Sequence, residues 1–391
     1  MKIALVYSDD FSLWVFRRGL IKTLVERGCK VYLLSKYGRY VPLLIQLGAQ
    51  HIAIELERFI NPAKDLYLLI KLYKIFRDEK FDIVHNFTVK PNIYGSIAAK
   101  LAGVKRVIIS VTGLGILSYK ENSSGAMLCK MNVMAFLVKG FYVIACYLCD
   151  KVSFQNNDDK CFFIKNKILI DGLKSVVIKG SGIDTKFYSP DAVDNHKLET
   201  LKGIISYEPN DIYVVMVSRA LWNKGVKEFV EAGSILASRY DNVRFLLVGG
   251  IEKDNPFSVP ESYIRDKTNK YFRWVDFIDD VRELLHLADI AVLPSYYGEG
   301  IPRNLLEAMA MRKPIITTDN VGCREVVEEG KNGYIVPVRN AEALALAIEK
   351  LVTNEEKRIL FGYYSRQKAE AEFGEERVLK ETLRFMYDKL E

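Results

Sequence analysis

The stretch IAVLPSYYGEGIPRNLLEAMAMRKPIITT (290–318) reads as strand, turn, helix and strand in quick succession. IAVLPS (290–295) and KPIITT (313–318) are short and rich in branched apolar residues. Parallel strands look like this when helices cover both faces of their sheet. Between them, Gly298 and Gly300 punctuate a turn, and Pro302 suits a first helical turn, where its missing N–H costs nothing. Two strands joined through a helix make a parallel crossover unit.

Outward from this unit the alternation continues in both directions. KIALVY (2–7), KVYLLS (30–35), DIVHNF (82–87), RVIISV (106–111) and KVSFQN (151–156) read as strands. So do YVVMVS (213–218), RFLLVGG (244–250) and GYIVP (333–337), with helical patterns between most of them. Two series of this kind predict two doubly wound α/β domains. The join is expected near GSGIDTKFYSP (180–190), where Gly, Asp and Pro cluster, and residues 340–391 are helical in pattern. A chain of 391 residues, 49% apolar, supports two full cores. That composition excludes disorder, collagen-like repeats and a disulfide scaffold.

The net charge of +7 hides an asymmetry. Residues 1–185 hold 27 Lys and Arg against 15 Asp and Glu, and the remainder 29 against 34. A basic half and a mildly acidic half imply different partners. No helix-turn-helix, zinc-finger or RNA-binding signature accompanies the basic half, so nucleic acid is not expected. Basic amphipathic stretches favour an anionic membrane surface instead: Phe11 to Arg27 with Arg17 and Arg18, and residues 64–80 with Lys71 and Lys74. Lys130 and Lys139 lie in a further apolar run. Met131 to Cys149 has the length of a membrane span, but the strands on either side of it are expected in one sheet, so a buried or interfacial helix is expected. The six cysteines (Cys29, Cys129, Cys146, Cys149, Cys161, Cys323) show no zinc-ligand spacing, and reduced thiols and a cytoplasmic setting are expected. MKIALVYSDDF reads as a first strand rather than a signal peptide.

In open α/β sheets, ligands bind beyond the carboxyl ends of the strands. After strand 213–218 come Ser218 and Arg219, then Lys224 and Gly225 opening a helix. Two cations beside a helix start can clamp a diphosphate, and two solvated surface cations are the plain alternative. After strand 290–295, Glu299 stands in the turn and Glu307 one turn into the helix. Such a pair can grip two parts of one ligand by accepting hydrogen bonds from sugar hydroxyls.

These motifs together, Glu299-x7-Glu307, the Arg219-x4-Lys224 pair and the tail NVGCREVVEEGKNGYIVP (320–337), resemble the GT4 family of retaining glycosyltransferases over nearly the whole chain. HNFTVKPNIYGS (85–96) and VTGLG (111–115) resemble capsule and O-antigen members of that family. The resemblance implies a GT-B fold, two Rossmann-like doubly wound parallel-sheet domains facing a central cleft. Residues 1–183 would bind acceptor and membrane and 184–365 the nucleotide sugar, with 366–391 a helix crossing back to the first domain. It implies a UDP-sugar donor, an acceptor sugar carried on a polyprenyl diphosphate, and a peripheral setting on the cytoplasmic face of a bacterial inner membrane. Arg219 and Lys224 would hold the diphosphate, Glu299 the donor sugar and Glu307 the ribose. Gly300, Ile301, Pro302 and Arg303 would face sugar and phosphate, with Gly249, Phe277, Ile278 and Asp279 around the nucleotide. Thr112 and Gly113 stand where many members carry a histidine, and Ser8-Asp9-Asp10 stands where a glycine pair is usual. His85, ending strand 82–87, is expected near the reacting groups, with a satisfied strand-end histidine as the equal alternative.

No Asp-x-Asp occurs, so no metal and no other cofactor is expected, and the two cations would neutralise the leaving diphosphate instead. A dinucleotide-dependent oxidoreductase would carry G-x-G-x-x-G after the first strand, which is absent. A sugar-nucleotide epimerase shares the fold, but the two spaced glutamates argue against it.

Overall fold

A computed structural model describes residues 1–57, 61–118 and 126–388. The chain divides into two compact units, Met1–Gly182 with Glu375–Glu391, and Ile183–Gly374.

The first unit is built on a seven-stranded parallel sheet. Its strands are β1 (Lys2–Asp9), β2 (Lys30–Lys36), β3 (Gln50–Ala53), β4 (Ile83–Phe87), β5 (Arg106–Val111), β6 (Lys151–Phe154) and β7 (Ser175–Val177), in the order β3-β2-β1-β4-β5-β6-β7. Alternate side chains of one strand serve two cores, as strand geometry requires. Ile3 and Leu5 pack with Leu13, Leu20 and Leu24 of the helix Asp10–Glu26 and with Met386 and Tyr387 near the C-terminus. Ala4 and Val6 face a layer formed by the helices Pro62–Glu79, Ser96–Leu101 and Ala126–Leu148.

Helix starts are set by short polar side chains. Asp9 accepts from Ser12 N at 2.7 Å, Asn61 from Lys64 N at 3.3 Å and Asn156 from Asp159 N at 2.8 Å. Each bond satisfies one of the amides a helix start leaves unpaired.

The helix Ala126–Leu148 joins β5 to β6, and Ile108 pairs with Lys151 in that register. Its ends therefore belong to one parallel crossover, which a membrane span cannot make. No helix of the described residues is long and apolar enough to cross a membrane. Cys146 and Cys149 lie buried in the same core, and the side chains of Cys129 and Lys130 lie outside the described residues.

The second unit carries a six-stranded parallel sheet: β8 (Ile212–Val217), β9 (Val243–Val248), β10 (Phe272–Val275), β11 (Ile290–Leu293), β12 (Ile315–Thr318) and β13 (Gly333–Val336), ordered β10-β9-β8-β11-β12-β13. Val214 and Met216 pack on one face with Phe229 and Leu236 of the helix Val226–Ala237, while Tyr213 and Val215 pack on the other with Leu198 and Leu201. The strand order reverses between β8 and β11. Open sheets bind ligands at such a switch point, beyond the carboxyl ends of the two strands. At Gly374 the chain leaves this unit, and the helix Glu375–Met386 packs in the first.

Candidate active site

Ser218 and Arg219 follow β8, and Ser295 to Gly300 follow β11, so the switch point gathers both motifs. Three glycines allow the loops to close on one another. Gly225 has φ +85°, and a Cβ there would stand 2.2 Å from the Pro294 carbonyl oxygen. At Gly322, φ is +77°, and a Cβ would meet the Gly300 carbonyl oxygen at 1.5 Å. Gly249, at φ +147°, has Ser218 O at 2.0 Å from that position. A side chain at any of the three would force the loops apart.

This approach brings Lys224 onto Glu299. The Lys224 ammonium donates to Glu299 Oε1, and the two side chains are only 13% and 12% exposed. Ser295 Oγ lies 2.9 Å from the same carboxylate oxygen and 3.2 Å from the Asn223 carbonyl, tying the turn before one helix to the loop before the other. The Arg219 guanidinium is more open. Its side chain is 45% exposed, and it donates to Glu252 Oε1 at 2.7 Å.

Pro302 precedes the helix Arg303–Ala310, with Ile301 buried beside it. Asn304 donates its side-chain amide to the Val217 carbonyl at 2.5 Å, which fastens the helix start to the end of β8. One turn into the helix, Glu307 is buried. Tyr188 donates its hydroxyl to Glu307 Oε1 at 2.9 Å, and Arg303 donates Nε to the same oxygen at 3.1 Å. Burial raises its carboxyl above the usual range, opposed by the Arg303 charge and the Tyr188 bond.

Phe277 and Asp279 are exposed on the loop after β10, and Ile278 is half-buried. Trp274 donates its indole N–H to the Gly249 carbonyl at 2.9 Å and fixes that neighbouring loop.

In the first unit two expectations change. His85 is 1% exposed, with Nδ1 2.7 Å from the Tyr387 hydroxyl and Nε2 2.7 Å from Ser110 Oγ. Ser110 Oγ in turn lies 2.7 Å from Ser153 Oγ. Both ring nitrogens are occupied by protein groups, so His85 is a satisfied core residue rather than one offered to a ligand. Burial lowers its pKa well below the usual value, and the imidazole is neutral. Arg17 is the second change. Its guanidinium stands 4.3 Å from the ring centroid of the fully buried Phe87, so it turns toward the sheet rather than outward to a membrane. With His85, Ser110, Ser153 and Thr112 it lines a small polar cavity at the carboxyl ends of β4, β5 and β6. Arg18 stacks over Trp14, with Lys74 exposed and Lys71 half-buried on their own helix. Gly113, at φ +138°, and the half-buried Thr112 follow β5.

Sequence reasoning missed Tyr188, Ser295 and Glu252. Ser295 stands just past β11 and Tyr188 in the segment read as a join, and neither position carries a local pattern for its role. Among the described residues, no group of three or more His, Cys, Asp or Glu is placed to hold a metal ion.

The family described as "Glycosyl transferases group 1" matches residues 199–368, and "Glycosyl transferase 4-like" matches residues 2–156. The chain is 31% identical, over 92% of its length and 91% of the relative's, to N,N'-diacetylbacillosaminyl-diphospho-undecaprenol alpha-1,3-N-acetylgalactosaminyltransferase of Campylobacter jejuni. It is 28% identical, over 78% and 74% of the two chains, to UDP-Gal:alpha-D-GlcNAc-diphosphoundecaprenol alpha-1,3-galactosyltransferase of Escherichia coli. The crystal structure of Anabaena HepE in complex with UDP and glucose superposes with a TM-score of 0.78 at 19% identity, covering 99% of this chain and 100% of that one. The chain belongs to the GT4 family of glycosyltransferases and has the GT-B fold.

Proposed function

We propose that the protein moves N-acetylgalactosamine, or a related N-acetylhexosamine, from a UDP-sugar to a sugar carried on undecaprenyl diphosphate. Diacetylbacillosamine is the acceptor that the Campylobacter relative's name supplies. The observation that carries this reading is the Lys224–Glu299 pair at the switch point, with Arg219 just past the end of β8, on a chain alike to that relative over nearly its full length. Two undecaprenyl-diphosphate-linked acceptors appear among the relatives' names, which supports the acceptor class. A capsule-type transferase with another sugar is the second reading, since CapM of Staphylococcus aureus is 28% identical over 95% of this chain.

In this reading the donor's diphosphate takes Lys224 and Arg219 as its cations. Lys224 then leaves Glu299, whose carboxylate is freed to accept from a hydroxyl of the donor sugar. Glu307 accepts from the ribose. Departure of the diphosphate breaks the bond from the anomeric carbon and builds negative charge on the leaving oxygen. The two cations and the amides at the start of the Arg303–Ala310 helix stabilise that charge. The acceptor hydroxyl attacks the same face, and its proton passes to the departing phosphate oxygen, so the configuration is retained. A relative that turns UDP-Gal, an α-linked donor, into an alpha-1,3 product supports retention. The two cations make a divalent metal unnecessary to the step.

A lipid-linked acceptor is presented at a membrane, and the basic excess of residues 1–185 suits an anionic one, so the protein is read as peripheral to the cytoplasmic face of the inner membrane. The test is a panel of UDP-sugars against defined polyprenyl-diphosphate sugars in EDTA. Transfer of an N-acetylhexosamine supports the reading, and transfer of a different sugar only supports the second.

A further inference from the structure

The helix Ala126–Leu148 carries its apolar residues on both sides. Val138, Tyr142, Ala145 and Cys146 face the core. On the opposite side Val133, Phe136, Leu137, Phe141, Ile144 and Tyr147 are exposed, with Phe136 at 75% and Tyr147 at 80%. Their spacing of three and four residues makes one continuous outward stripe. A helix facing water carries polar residues there, and a contiguous apolar patch of this extent marks a contact surface. The stripe continues past the helix end. Leu173 is 96% exposed, and the neighbouring Lys174 bonds to the Cys146 and Cys149 carbonyls at that end. The helix contains no acidic residue. In the same layer, the helix Pro62–Glu79 exposes Leu66, Tyr67 and Ile70 together with Lys74 and Arg77.

We infer that this outward face docks the protein on an anionic phospholipid bilayer. Its apolar stripe lies in the interfacial zone, and the lysines and arginines at its margin meet the headgroups. Three observations select a bilayer over another protein chain. The stripe on the helix is aromatic and aliphatic and lacks any acid, Lys74 and Arg77 stand exposed in the same layer, and the unit that bears it holds the chain's whole positive excess. This deepens the lipid-linked acceptor reading and rests on it. It also moves the contact away from Arg17, which packs against Phe87.

The experiment uses the purified full chain with phosphatidylcholine vesicles, with and without phosphatidylglycerol, read by sedimentation. The wild type is expected to bind the anionic vesicles and to release in high salt. Phe136→Ser with Tyr147→Ser should lower partitioning about tenfold or more. That variant should transfer sugar normally to a short-chain, water-soluble acceptor, which shows that it is folded, and poorly to a long-chain acceptor embedded in vesicles. Phe136→Trp should show a blue-shifted emission on vesicle addition. Equal vesicle binding by wild type and the double variant overturns the inference. So does a wild-type dimer that the double variant dissociates while neither binds vesicles, which would assign the face to a second copy. Vesicle binding lost as expected, with no transfer to any lipid-linked acceptor by the wild type, would leave the docking face standing and sink the acceptor reading.

Discussion

The Lys224 ammonium and the Glu299 carboxylate, 75 residues apart in sequence, are bonded to one another at the switch point of the second sheet, nearly buried and braced by Ser295. The cation proposed for the diphosphate and the acid proposed for the sugar thus hold each other. In the proposed reading, donor binding exchanges this pair for two protein–ligand contacts. Lys224→Ala and Glu299→Ala should each lower kcat/KM about 100- to 1,000-fold, the scale for losing one charge-stabilising group. Each single variant leaves one nearly buried charge without its partner, so each should be less stable than Lys224→Met with Glu299→Met. Thermal unfolding of the three proteins checks this, and singles that melt no lower than the double would disprove the coupling.

Glycine at 225 and 322 is required by close backbone approach rather than by flexibility. Gly322→Ala would place a methyl group on the Gly300 carbonyl, and Gly225→Ala on that of Pro294. Both sites also have positive φ, so each substitution should cost about 1–3 kcal/mol and displace the Glu299 loop or the Lys224 turn. Donor affinity, measured by calorimetry with UDP, should weaken in both. Gly28→Ala, with open space around its Cβ position, is the control for positive φ alone and should leave donor affinity unchanged.

Tyr188→Phe removes the hydroxyl that donates to Glu307. That bond favours the ionised carboxylate, whose folded pKa burial already raises. A raised carboxyl contributes stability below its unfolded pKa and loses it as pH rises. Removing Tyr188's hydroxyl raises it further, so the variant's deficit should grow with rising pH through the acid range and shrink on acidification. The full deficit should be about 1–2 kcal/mol at neutral pH, with a raised KM for the UDP-sugar and a smaller change in kcat.

His85's own contribution to stability rises with pH, opposite in slope to that of Glu307. Its folded pKa lies well below the ordinary value of about 6.5, so the stability it lends is present above that value and lost as pH falls below it. His85→Gln should be destabilised at pH 8, and the gap to wild type should narrow toward pH 5, by at most about 1.4 kcal/mol per pH unit. A gap that stays constant over this range would contradict a neutral, buried His85.

Most strands were legible because parallel strands covered on both faces read as apolar runs. The edge strands Gln50–Ala53 and Ser175–Val177 were not. Each is short, and its side chains are only partly covered, so QHIA and SVV carry too little pattern. The placement of the motif positions of the second unit was legible because they directly follow strands that read as apolar runs. Tyr188's role was not, since it depends on a contact 119 residues away. His85 showed the reverse failure. Its place at a strand end suggested a reacting group, but its meaning is set by Tyr387, 302 residues on, and by Ser110. Arg17 looked like a surface cation in sequence, and only the position of the Phe87 ring turns it inward.

The most direct test of the account is one incubation in EDTA of the purified chain, UDP-N-acetylgalactosamine and undecaprenyl-diphosphate-linked diacetylbacillosamine, read by mass spectrometry and by the anomeric coupling of the product. The account predicts addition of a single N-acetylhexosamine in α linkage. A β-linked product, a strict need for a divalent metal, or no transfer of N-acetylhexosamine to this lipid-linked sugar would contradict it.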